Sequence, residues 1–75
     1  MNIKAIGDNI GNQIARNHMT QRECAEKLHI TEASMCRYIA GQRTPKATLL
    51  YRMSRLFGCA MEDLCYGIDS EVGNE

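Results

Sequence analysis

Residues Gln21 to Gly41 read QRECAEKLHITEASMCRYIAG, and their periodicity decides the fold. Apolar residues recur at helical rather than strand spacing. Cys24, Ala25 and Leu28 share one face of a first short helix, and Met35, Tyr38 and Ile39 share one face of a second. The turn His29-Ile30 joins them. Helices this short hold only by packing across one another. The crossing needs a small residue, which Ala25 supplies, while Cys24, Leu28, Ile30, Met35 and Tyr38 form the wedge between the pair. That geometry turns Glu32, Ala33, Cys36, Arg37 and Ala40 outward.

Punctuation on either side supports the same division. Thr20-Gln21-Arg22-Glu23 has the form of a capping box, in which hydroxyl and carboxylate each satisfy a backbone N–H of the other residue. Thr31 is a second N-cap, and Gly41 a natural stop. Upstream, Ile3, Ile6, Ile10 and Ile14 predict a first helix. Gly7 and Gly11 weaken it by about 1 kcal/mol each relative to Ala; they are either tolerated or required by close approach of another helix. Downstream, Thr44-Pro45 reads as a cap followed by proline at the first helical position. Leu49, Leu50, Met53, Leu56 and Phe57 then form a stripe that Gly58 ends. A short fifth helix, Met61 to Tyr66, turns Met61, Leu64 and Cys65 inward and carries Glu62 and Asp63 in its first turn, where the helix dipole favours acids. No repeat or low-complexity segment is evident.

Composition sets the bounds. Seventy-five residues, 44% of them apolar, make one domain with one modest core. The formal charge is zero, but it is segregated. Residues 31–55 carry Arg37, Arg43, Lys46, Arg52 and Arg55 against Glu32 alone, whereas residues 56–75 carry only the acids Glu62, Asp63, Asp69, Glu71 and Glu75. A basic middle can serve phosphates although the total cancels. Cys24, Cys36, Cys59 and Cys65 contain no C-x-x-C pair, so neither a zinc site nor a disulfide framework is expected. No secretory signal and no membrane-spanning run is read, and the expected compartment is a reducing cytoplasm with free thiols. No metalloprotease, P-loop or dinucleotide fingerprint occurs, and His18 and His29 stand with no acid or nucleophile. An enzyme is therefore not expected, and no cofactor is implied.

With these features in place, Gln21 to Gly41 resembles the helix-turn-helix of the lambda-repressor and Cro-like (XRE-type) regulators. The resemblance extends over about residues 6 to 66 and rests on Ala25, on the apolar wedge, on Gly41 and on the following Gln42-Arg43-Thr44-Pro45. Three positions depart from it: His29 where a glycine of positive φ is usual, Cys36 where a small polar residue is usual, and Ala60 where Ser or Thr commonly caps the last helix.

The resemblance implies an all-α, five-helix DNA-binding domain over residues 1–66 with the motif at 21–41, followed by a polar acidic tail at 67–75. It implies a double-stranded DNA operator as partner, read in the major groove by the helix 31–40. The expected base readers are Thr31, Glu32, Ala33, Cys36 and Arg37; the expected backbone contacts are Gln21, Ser34, Gln42, Arg43, Thr44 and Lys46. Arg52 and Arg55 are expected to be solvated charges remote from DNA. A homodimer is expected, its surface drawn from Met61, Leu64, Tyr66 and Ile68. The alternatives are a protein-interaction module of the same fold, which neutral charge favours, and a thiol sensor acting through Cys36.

Overall fold

A computed structural model describes residues 3–66. Five helices follow one another: α1 (Ile3–Arg16), α2 (Gln21–Leu28), α3 (Glu32–Ile39), α4 (Ala47–Phe57) and α5 (Met61–Tyr66). Among the described residues there is no strand. Helix α1 packs on α3 and α5, α2 on α3 and α4, and α4 on α5. Ile6, Ile10, Met35, Met53, Leu64 and Cys24 are essentially sealed from solvent at the centre. Ala25 and Leu28 of α2, Ile14 of α1, and Leu50 and Phe57 of α4 complete this core.

The isoleucine stripe of α1 is buried from Ile6 onward, while Ile3, at the helix end beyond its neighbours, is 38% exposed. The stripe also buries Gln13, a polar residue that periodicity alone does not mark. Its two glycines have different causes. A Cβ on Gly7 would run into the carbonyl oxygens of Tyr38 and Ile39, so α3 ends directly against the backbone of α1. A Cβ on Gly11 would sit 3.6 Å from the Ile39 Cγ2 methyl, an ordinary contact.

The short helices end alike. His18 (φ 56°) and His29 (φ 59°) adopt the left-handed conformation within two residues of the ends of α1 and α2, as Gly41 does after α3. At each, paired bonds close the helix: His18 N–H to Ala15 O and Met19 N–H to Ile14 O; His29 N–H to Glu26 O and Ile30 N–H to Ala25 O; Gly41 N–H to Tyr38 O and Gln42 N–H to Arg37 O. This is the Schellman arrangement. The expected positive φ at His29 is therefore present, and His18 repeats it. Both histidines begin the same tripeptide, His-Met-Thr at 18–20 and His-Ile-Thr at 29–31. Each histidine closes a helix, each apolar residue packs on the core, and each threonine caps the next helix.

The start of α4 differs from the expectation. Lys46, not Thr44, is its N-cap; it makes no side-chain cap bond, and the helix begins at Ala47. Pro45 is buried while Thr44 and Lys46 are exposed. The proline ring is thus spent on packing, and the chain stays extended until it has passed. At α5, Asp63 Oδ2 accepts from the Ala60 N–H at 3.1 Å, half of a capping box without a hydroxyl at the cap itself.

The two α1 glycines should respond to alanine with opposite signs. Gly11→Ala should stabilise by about 0.5–1 kcal/mol through helix propensity. Gly7→Ala should destabilise by about 2 kcal/mol, overpacking against backbone outweighing the propensity gain. Urea denaturation followed by circular dichroism checks both.

Candidate nucleic-acid interface

The α2–turn–α3 unit is built from its caps inward. Thr20 Oγ1 accepts from the Glu23 N–H at 3.0 Å, and Glu23 Oε1 accepts from the Thr20 N–H at 2.9 Å, completing the expected capping box. Gln21, exposed, is the first residue of α2. Thr31 Oγ1 accepts from the Ser34 N–H and donates to Ser34 Oγ, both at 3.0 Å. The hydroxyls of both residues are therefore engaged in capping α3, and Ser34 is half-buried. Between the caps, Cys24, Ala25, Leu28 and Met35 are buried, whereas Ile30 and Tyr38 are half-buried at the edge of the wedge.

The opposite side of α3 is open. Glu32, Ala33, Cys36 and Arg37 are all exposed on one helical face, and Ala40 continues it. Arg37 has no acid within ion-pair distance among the described residues. In the loop that follows, Gln42, Arg43, Thr44 and Lys46 are exposed, and Arg43 and Lys46 are likewise without an ion-pair partner among the described residues. The structure thus brings one ridge of α3 and an exposed basic loop together in sequence, seated on the Met35 side of the core.

Arg52 and Arg55 are exposed, as expected of solvated charges, but each also has a protein partner. Arg52 Nη2 donates to the Leu28 carbonyl at 2.6 Å, and Arg55 donates to the Tyr51 hydroxyl at 3.1 Å with its guanidinium over the Tyr51 ring. The Arg52 contact has no sequence signature, because it depends on which way the polar face of α4 is turned, whereas Arg55 meets Tyr51 at the i,i+4 spacing of one helix.

The expected dimer surface needs a correction at Leu64. It is fully buried, and its carbonyl accepts from Asn9 Nδ2 of α1 at 2.8 Å, so it closes the core rather than offering itself to a second chain. Met61 is half-buried, Tyr66 is 63% exposed, and Ile68 lies outside the described residues.

The four cysteines divide sharply. Cys36 is exposed on the α3 ridge, Cys59 and Cys65 are half-buried, and Cys24 is fully buried. Burial pushes the Cys24 thiol up to about 11, and burial with the nearby Asp63 charge raises Cys59. No group of His, Cys, Asp and Glu among the described residues could hold a metal ion, and none of their helices is long and apolar enough to cross a membrane.

A family model described as helix-turn-helix matches residues 13–64, which takes in the end of α1, α2 to α4 whole and most of α5. No curated protein and no solved structure matches the chain.

Two thiol measurements should follow this division. A disulfide reagent at pH 8 should modify Cys36 first and reach Cys24 only as the protein unfolds. Cys24 ionises at higher pH folded than unfolded, so its stabilising share is whole below pH 9 and is lost as pH rises toward 11. Cys24→Ala should flatten that part of the stability–pH curve.

Proposed function

The chain belongs to the helix-turn-helix family of DNA-binding regulators of the lambda-repressor type, and we propose that it is a sequence-specific repressor that reads its operator with α3. The observation that carries this reading is the outward ridge of α3: four exposed side chains of different chemistry, one of them an arginine with no ion-pair partner among the described residues. The major groove shows each base pair as a distinct pattern of donors and acceptors, and a helix fits within it. Arg37 forks onto guanine O6 and N7, Glu32 accepts from cytosine N4, and Ala33 touches a thymine methyl. Cys36 lies between them, and Thr31 at the head of the ridge touches DNA only with what its cap leaves free. Gln21, Ser34, Gln42, Arg43, Thr44 and Lys46 hold the phosphates, which sets register without reading sequence. Repression is supported by the resemblance of the fold, and by the simplest consequence of occupying an operator, which is to block it.

One such domain covers few base pairs, so specificity calls for two copies on half-sites about one helical turn apart. With Leu64 in the core, the pairing surface is drawn from Tyr66, the open part of Met61 and Ile68. Glu62 and Asp63, in the first turn of α5, then lie at the pairing end. The domain is residues 1–66, and 67–75 is its acidic tail.

Selection of bound duplexes from a random pool, followed by salt titration, tests the reading. Arg37→Ala should cost about 1–3 kcal/mol on the selected duplex and relax preference at one base position. Arg43→Ala should weaken every duplex alike and flatten the salt slope by about one. Equal losses on selected and random duplex for Arg37→Ala would remove the role given to that residue. A wild-type chain that ignores all duplexes at low salt but retains a protein partner would instead favour the interaction module.

A further inference from the structure

We propose that Arg52 is a positioning residue for DNA recognition: from α4 it pins the C-terminal end of α2 and, through it, the short turn that aims α3. The inference rests on the operator reading above, in which α3 is the reading helix.

The last carbonyls of any helix lack intrahelical partners and carry the negative end of its dipole. In α2, Ala25 O and Glu26 O are taken by the N–H groups of Ile30 and His29. Leu28 O, the last, is taken by the Arg52 guanidinium, reaching from 24 residues further along the chain. A charged donor on an orphan carbonyl at a dipole's negative end is a favourable pairing on both counts.

The place it acts on is the one that most needs holding. Leu28 is followed at once by His29 in the left-handed conformation, and Thr31 already caps α3. Two residues, His29 and Ile30, therefore set the angle between the helices. A left-handed backbone is unfavourable for a residue with a Cβ, so other turn conformations lie close in energy. The bonds within the turn are all local and would travel with α2 if it shifted. The Arg52 bond does not: it ties the turn to α4, whose Leu50, Met53 and Phe57 are anchored in the core. A guanidinium so engaged has a donor committed to the protein, which separates Arg52 from Arg43 and Lys46, for which no such bond is seen among the described residues.

Arg52→Met keeps the alkyl stem and removes the donor; Arg52→Lys keeps a donor. In the free full-length chain, Arg52→Met should speed amide hydrogen exchange at His29 and Ile30 about tenfold relative to Ile10 and Met53, the effect of one charge-assisted hydrogen bond. Arg52→Lys should restore most of that protection. On DNA, Arg52→Met should lower the ratio of selected to random duplex affinity about tenfold and leave the salt slope unchanged. Uniform acceleration at all four amides, or unchanged exchange at His29 and Ile30, would overturn the positioning role. So would equal weakening on both duplexes with a slope flatter by about one, the mark of a phosphate contact. Wild-type protein that binds no duplex would sink the operator reading and the DNA half of this one, while exchange would still decide whether Arg52 holds the turn.

Discussion

An eight-residue helix in water does not persist by itself, and α3 is eight residues long. Its outward ridge therefore exists only because its other side is fastened. Met35 is sealed beneath it, Gly7 lets the carbonyls at its end rest on the backbone of α1, and Thr31 closes its first turn. Every functional statement about Glu32, Ala33, Cys36 or Arg37 depends on that fastening. The exposed side chains define what the ridge can read, and the buried ones define where it points.

The same economy shapes the connections. Two turns built on His-apolar-Thr do three tasks in three residues: the left-handed histidine ends one helix, the apolar residue packs on the core, and the threonine starts the next. Using histidine rather than glycine costs conformational energy and leaves a rotatable polar side chain at each turn. Charge is arranged with comparable thrift. A chain of zero formal charge presents an exposed basic loop after α3 and gathers its acids in and beyond α5. The local field near Arg43 and Lys46 is what phosphates would meet.

Where expectation and structure part, the difference is one of partners distant in sequence. Thr44-Pro45 has the form of a helix start, yet Pro45 is drawn into the interior and α4 begins after it. Leu64 looks like surplus apolar area at the end of a small domain, yet α1 covers it and Asn9 binds its carbonyl. Arg52 sits on the polar face of an amphipathic helix, where solvation is the ordinary fate; it stays exposed, yet it also reaches the Leu28 carbonyl. The His-Met-Thr and His-Ile-Thr tripeptides carry no periodicity that marks them, and only the φ angles at both show one device used twice.

Whatever is governed by contacts within a turn or two of helix could be read from the amino acids themselves. The capping box at Thr20, the cap at Thr31, the five helices and the outward set on α3 all belong to this class, because helix periodicity and capping are i to i+4 phenomena, whereas the left-handed stop at His29 was implied only by the family resemblance. Tertiary structure alone decided why Gly7 must be glycine while Gly11 need not be, that α1 covers Leu64 and leaves none of it for a second chain, and that Arg52 reaches the end of α2. Those outcomes depend on how helices far apart in the chain are placed side by side, and no local preference encodes that placement.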